Sequence, residues 1–331
     1  MITQQYYVGA YAASPCLNQW DPKLEREFYL GIRDFSLIQG LEHPFYGEGL
    51  HRFDEKLFLE SINPNWNFVF TCIPGTIGNL KQNPHFGLAS DSEEGRKAAV
   101  KYTKKALDAL HRLNQFLRRK AVVAVQLHSA PSMTKPHVKA SVESFQKSLF
   151  EITSWNWEGA ELIIEHCDAF NSSVPPVKGF MSLEDEMKTI LNHSELLGKV
   201  SLGLNWGRSA IEGRNTILPL EHIKAVAVQN LLKGYIFSGA TAQDENFGQW
   251  DDSHAPFLNE EYTKKALLSH SLLSKSELGK SLNLLPLEKL TYLGFKMQFL
   301  PGSLSVLERI EGIQSCLDLL DQSMVSKLQL K

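Results

Sequence analysis

The sequence predicts an α/β protein, a single (β/α)8 barrel spanning residues 1–331, and three observations carry that prediction. Short runs rich in β-branched and aromatic residues recur along the chain. Amphipathic helical stretches separate most of them. Polar residues collect where the runs end, as expected if apolar parallel strands feed a functional rim. The 331 residues are 43% hydrophobic and 21% charged, ordinary globular usage with enough apolar surface for a sizeable core. Length alone suggests two domains, but barrels of this kind routinely exceed the usual domain size, and no linker, low-complexity segment or composition break divides the chain.

Taken in order, the expected strands are Tyr6–Tyr11, Asp34–Leu41, Phe68–Ile73, Val122–His128, Glu161–Glu165, Val200–Asn205, Gly234–Ser238 and Tyr292–Phe299. The clearest helix lies between the third and fourth, over Lys97–Leu117. It places Val100, Leu107, Leu110, Leu113 and Leu117 on one face and basic residues on the other. Pro219–Leu232, Glu260–His270 and Leu304–Leu320 show the same period. Ser182 ahead of Leu183-Glu184-Asp185 reads as an N-cap with acids in the first turn. An open doubly wound sheet would carry a glycine-rich phosphate turn after its first strand. That place reads GAYAASP, so the closed barrel is preferred.

Composition narrows function. A net charge of -3 supplies no global positive field for nucleic acid or anionic membrane. The start MITQQYYVGAYAA has neither a basic beginning nor a long apolar run and reads as a first strand, not a signal peptide. Cys16, Cys72, Cys167 and Cys316 are scattered without a CxxC pair, which suits reduced thiols in a cytoplasmic protein. No nucleic-acid or membrane partner is expected; a homo-oligomer is left open.

The strand ends supply the candidate site, because the loops on that rim build active sites in such barrels. Glu42 and His43 follow the second run, His128 and Ser129 the fourth, and Glu165, His166 and Asp168 the fifth. Asn205 and Arg208 follow the sixth, Ser238 the seventh, and the eighth carries Lys296 and Gln298. Long loops are expected over 74–92 and 239–259. The first contains HFGLAS and leads to Arg96; the second contains GQWDDSHAPF, where Asp252 and His254, two apart, point the same way. Glu165 at the end of a buried strand is costly unless it is functional or paired with Lys296 or Arg208. His128 is either a core histidine bonded to backbone or a ligand or acid/base group. His43 and His166 alternate with Glu42 and Glu165, face the other way, and are read as structural. Trp206, Trp250 and Phe257 are loop anchors or a stacking wall for a sugar ring. Arg96 is a solvated helix residue or an anion clamp, and Asp252 a turn cap or a ligand.

In order and placement, LHSAP, LIIEHCD, LGLNWGRSA and DDSHAPF resemble the xylose-isomerase-like TIM-barrel superfamily, which includes sugar isomerases, sugar-phosphate epimerases and endonuclease IV. The resemblance implies a divalent metal held by a Glu from strand five, an Asp from strand six, a His near strand seven and a Glu from strand eight. Glu165 matches the first position. Asn205, Ser238 and Lys296 stand at the other three, Arg208 replaces a histidine that often follows the strand-six acid, and Asp252 with His254 resembles the D-x-H zinc pair of the endonuclease branch. Two carboxylates have become an amide and an ammonium, so the expectation is a degenerate metal site. Lys296 is expected to stand in the cation's place and neutralise Glu165, with no cofactor required. The second expectation is a divalent metal (Zn, Mn or Mg) held by Glu165, Asp252, His254 and His128.

Three functions follow, and the partner that the resemblance implies is a small carbohydrate-like molecule. A sugar, polyol or sugar-acid isomerase or epimerase would use Glu165 as base, His128 or His254 as acid and Lys296 as electrophile. In that reading Glu42, Arg96, Asn205, Arg208, Trp206, Trp250 and Asp252 would line the substrate. A small-molecule-binding barrel without catalysis is the first alternative, and an endonuclease IV-like phosphodiesterase the second.

Overall fold

The computed structural model describes residues 5–17, 19–258 and 269–329. Eight parallel strands pair in sequence order and close on themselves: β1 (Tyr6–Val8), β2 (Ile38–Pro44), β3 (Asn67–Thr71), β4 (Val122–Leu127), β5 (Glu161–Glu165), β6 (Val200–Asn205), β7 (Leu232–Phe237) and β8 (Tyr292–Phe295). The helices are α1 (Ala10–Ala13), α2 (Pro22–Ile32), α3 (Glu55–Ser61), α4 (Ile73–Gln82), α5 (Glu93–Leu117), α6 (Val142–Thr153), α7 (Leu183–Leu191), α8 (Trp206–Gly213), α9 (Leu218–Val228), α10 (Lys275–Leu284) and α11 (Val306–Gln329). This is the (β/α)8 TIM barrel that the alternation of runs predicts. Among the described residues no helix is long and apolar enough to cross a membrane.

Element ends differ from expectation where polar residues or turns intervene. The second strand lies later than Asp34–Leu41: Phe35 and Ile38 are still held by turn bonds to Ile32 and Phe35. Glu42 and His43 then belong to β2 itself rather than to the loop behind it. β1 stops at Val8 and α1 begins at Ala10, so Tyr11 is helical. β3 ends at Thr71 because Ile73 and Pro74 open α4, which occupies part of the expected loop. α5 starts at Glu93, where Ser92 Oγ accepts from Gly95 N. α9 ends at Val228 and Asn230 turns the chain at φ 56°, so Leu232 belongs to β7. β8 ends at Phe295, since Lys296 N donates to Phe237 O and Gln298 N to His254 O. Residues 260–268 of the expected helix Glu260–His270 lie outside the described residues. Ser182 caps α7, accepting from Asp185 N.

Pleat alternation then places the site. Tyr7, Val69, Ala124, Ile163, Ile236 and Tyr292 pack together as an apolar layer inside the barrel. Residues two further along a strand point to the same interior, which makes Gln126, Glu165 and Ser238 inward-facing; His128 and Lys296 follow after four. Glu42 lies in register with Val69, and Asn205 with Ile236, so both share that face. The odd partners Leu41, Phe70, Leu127, Ile164, Leu204 and Phe237 face outward into the main core beneath the helices. An apolar floor therefore carries a polar upper layer, and the polarity that interrupts the strand pattern is concentrated at the C-terminal mouth.

Candidate active site

Four ion-pair contacts among six charged side chains fill this mouth. Arg208, in the first turn of α8, brings Nη1 to 2.6 Å from Glu165 Oε2. It points its Nε toward Asp252 Oδ2 at 3.6 Å. Lys296 Nζ pairs with Glu42 Oε2 at 3.1 Å, and Lys178 Nζ with Asp252 Oδ2 at 2.9 Å. His128 Nε2 lies 3.0 Å from Glu165 Oε2. His254 Nδ1 lies 2.9 Å from Ser238 Oγ and 3.3 Å from Asp252 Oδ1. Asn205 Oδ1 caps α8, accepting from Gly207 N and Arg208 N, and so fixes the helix that carries the guanidinium. Gly9 is obligatory here. A Cβ on it would stand 2.8 Å from Lys296 Cβ and 3.0 Å from Glu42 Oε2.

Burial and these pairs split the protonation behaviour of the two inner carboxylates. Burial raises Glu42, and Lys296 only partly offsets it, so its carboxyl stays above the usual range. Burial would also raise Glu165, but Arg208 first, then Lys296 and His128, hold it well below. Asp252 is likewise depressed: Lys178, His254 and Arg208 outweigh its desolvation. Burial pushes His128 down despite Glu165. It pushes His254 down to about 3, with Lys296 and Arg208 adding to the shift. Both rings are neutral at pH 7. Glu165 only accepts, so His128 carries its hydrogen on Nε2 and presents a bare lone pair on Nδ1. That Nδ1 is buried without a partner among the described residues, as are Glu165 Oε1, Gln126 Oε1 and Asn205 Nδ2.

The structure brings together Glu165, His128, His254, Lys296, Glu42, Asn205, Arg208 and Asp252, and corrects several roles. Glu165 is neutralised by Arg208, while Lys296 is engaged with Glu42; the guanidinium, not the ammonium, bridges the two carboxylates. Arg96 is not at the mouth. Its fork clasps Glu93 at 2.8 Å on both sides and reaches Ser148 Oγ between α5 and α6. Trp206 is fully buried in the main core and offers no stacking face. Trp250 sits on the rim with φ 54°. The Arg214 guanidinium lies 5.5 Å from its ring centroid, so that face is taken by the protein. Phe257 packs edge-on against Phe237 and is buried. His43 and His166 face outward, and His43 stacks on Phe58 at 4.6 Å. Sequence reasoning missed Lys178, which meets Asp252 from 74 residues away, and Gln126, whose Nε2 donates to Tyr292 Oη inside the barrel. Neither belongs to a local spacing pattern; only the strand parity of Gln126 signals its direction.

The donor set does not fit the divalent metal of related barrels. Glu165 and Asp252, two of the four expected ligands, are already paired to Arg208 and Lys178, and Glu42 to Lys296. The cluster is balanced, three cations against three anions. At an effective dielectric of about 20, two unit charges about 4 Å apart interact by about 4 kcal/mol. A divalent ion among these cations would meet repulsion of at least that order without an uncompensated carboxylate to repay it.

Comparison with known proteins agrees with this architecture. Residues 7–312 match the family model described as a domain of unknown function, DUF4862. An uncharacterized protein of Salmonella typhimurium is 33% identical over 318 residues, covering 96% of this chain and 97% of the relative. Among solved structures, IolI protein with a zinc atom superposes with TM-score 0.55 at 13% identity, covering 96% of this chain and 98% of that one. A xylose isomerase-like TIM-barrel protein from Mycobacterium smegmatis in complex with magnesium gives 0.51 at 10%, covering 98% of each chain. AP endonuclease, family 2, from Brucella melitensis gives 0.52 at 12%, covering 94% and 97%. At these identities the likeness shows the fold. The chain belongs to the DUF4862 family and has the xylose-isomerase-like TIM-barrel fold.

Proposed function

We propose that the protein is an isomerase or epimerase that moves a proton on a small polyhydroxylated carbonyl compound (a sugar or sugar acid), with no metal in the barrel mouth. The observation that carries the reading is the set of buried, partnerless polar atoms on adjacent inward positions: Gln126 Oε1 and His128 Nδ1 from the end of β4, Glu165 Oε1 from β5 and Asn205 Nδ2 from β6. Buried polar atoms left unpaired are costly unless a ligand satisfies them. His128 Nδ1 is the base, and Glu165 orients its ring, as a carboxylate orients the histidine of a catalytic triad. The Lys296 ammonium and the Arg208 guanidinium supply fixed positive charge to the developing enediolate. Asn205 Nδ2 donates to a substrate oxygen, and the proton taken up on His128 Nδ1 returns from that nitrogen to the enediolate carbon, while His254, held by Ser238 and Asp252, stays neutral at the rim. Glu165 is a positioning residue here, because Arg208 keeps it a weak base.

The test follows solvent deuterium into a panel of aldoses, ketoses and sugar acids by NMR. Incorporation at a carbon next to a carbonyl, lost in His128→Asn, supports the proposal. Absence of exchange across ligands that calorimetry shows to bind refutes it and supports the second reading, a non-catalytic binding barrel. That second reading is favoured by one feature: the inner mouth groups Glu42, His128, Glu165, Arg208 and Lys296 are already paired with one another and almost fully buried. An endonuclease-like phosphodiesterase would need several metals at positions held by Asn205, Arg208 and Lys296.

A further inference from the structure

Behind the barrel wall, where β5, α8 and α9 meet, lies a second polar cluster that the mouth chemistry does not use. His166 points outward from the residue after β5. Its Nε2 lies 3.0 Å from Glu212 Oε2, and Glu212 Oε1 lies 3.8 Å from His222 Nε2. One ligand atom from each of the three residues falls within 4.8 Å of the other two. We propose that His166, Glu212 and His222 form a zinc site, independent of the barrel mouth and of the function proposed above.

Three features support it besides proximity. Each ring is oriented from behind. His166 Nδ1 lies 2.7 Å from Glu186 Oε2, a carboxylate itself held by Ser129 Oγ at 2.5 Å. His222 Nδ1 pairs with Ser209 Oγ at 2.9 Å. Between two carboxylates His166 carries hydrogen on both nitrogens; an ion that displaces the Nε2 proton would meet the Nε2 lone pairs of both rings facing Glu212. This is the carboxylate–histidine–metal arrangement that fixes tautomer and ring angle in zinc proteins. The donor set of two imidazoles and one carboxylate is a three-protein-ligand zinc set. Bonds of about 2.0–2.1 Å place tetrahedral donors roughly 3.4 Å apart; the 3.0 Å contact on Oε2 and the 3.8 Å contact on Oε1 bracket that spacing, and a side-chain adjustment within the 4.8 Å cluster would close it on one ion. The charge also fits. Glu186 and Glu212 surround His166, and one ring proton leaves the cluster negative by one unit, whereas a divalent ion in place of that proton neutralises it. The mouth, already balanced, lacks that deficit. Glu212 is partly exposed (17% for its side chain), which leaves an entry path and a fourth position for water. Glu212 Oε2 also accepts from Ala169 N, so the ion would tie the segment after β5, and with it Lys178, to α8.

The test uses the full chain stripped with a chelator and titrated with zinc against a chromogenic competitor, with circular dichroism confirming that each variant is folded. The expected result is one zinc equivalent. Glu212→Gln and His222→Ala should each weaken binding at least 100-fold, and Ser209→Ala about 10-fold, while Glu165→Gln leaves it unchanged. Zinc-edge absorption should show two imidazoles and light oxygen scatterers. Failure of the stripped wild type to take up zinc would overturn the proposal. So would unchanged binding in folded Glu212→Gln, or loss of binding in Glu165→Gln, which would place the ion in the mouth.

Discussion

Replacing Arg208 with methionine isolates the substitution on which the mouth is built. The change keeps most of the apolar volume and removes the guanidinium 2.6 Å from Glu165 and 3.6 Å from Asp252. Glu165 is almost fully buried and would retain neutral His128 and the Lys296 charge, which is itself engaged with Glu42. Breaking one partner of a buried pair costs about 3–5 kcal/mol, because the other charge is left uncompensated. Unfolding entropy of about 2.1 cal/mol/K per residue converts this to a fall in Tm of roughly 4–7 °C for a chain of this size. The pH dependence has a definite sign. In the wild type the Glu165 pKa lies below its unfolded value, so its stabilisation is present above the unfolded carboxyl pKa and is lost as pH falls through the folded value. In the variant, desolvation acts without Arg208 and raises the folded pKa. The variant is then penalised as pH rises through the carboxyl range, and the difference between the proteins is widest near pH 7 and narrows toward pH 5. Urea unfolding at pH 5 and 7 measures both. The second substitution Glu165→Gln should restore part of the loss at pH 7, since it removes the stranded charge. A cost under about 1 kcal/mol, or a Glu165→Gln effect that adds to the first instead of rescuing it, would refute the pairing.

Other outcomes follow from the same geometry. His128→Asn should lower kcat by roughly 10²–10⁴, the range for loss of a general base, with KM nearly unchanged, measured on whichever substrate the deuterium panel identifies. Gly9→Ala forces a methyl against Lys296 and Glu42; overpacking of this kind costs about 1–3 kcal/mol, read as a lower urea midpoint. Burial pushes His43 down to about 4 and His254 to about 3, so the unfolded chain binds their protons first as pH drops. Stability should fall by about 1.4 kcal/mol per pH unit for each ring below about pH 6.5, and His43→Gln should remove one proton's worth of that slope.

The barrel was legible because its signal is collective: eight apolar runs, each followed by polar residues, agree with a single closed topology. Glu165 and His128 were legible because polar groups at the ends of buried strands have few explanations, and Asp252 and His254 because they stand two apart in a long rim loop. The pairing pattern was not. Whether Glu165 meets Lys296 or Arg208 depends on side-chain reach across strands β5, β6 and β8, and sequence spacing carries no such information. Lys178 was invisible for the same reason. Arg96 misled because a basic residue near a rim loop looks like a clamp until its helix face is known; that face turns toward α6 and Ser148. The late end of β2 was hidden because Glu42 and His43 break the apolar pattern that marks a strand.

The central claim is that a guanidinium from the chain itself occupies the place between Glu165 and Asp252 that a divalent ion held by those two carboxylates would need. Anomalous diffraction at the zinc edge, from crystals grown with zinc in slight excess over protein, addresses it directly. The account predicts no zinc peak inside the barrel mouth and continuous density for Arg208 reaching Glu165. A peak bonded to Glu165 and Asp252, with the Arg208 side chain displaced, would contradict it.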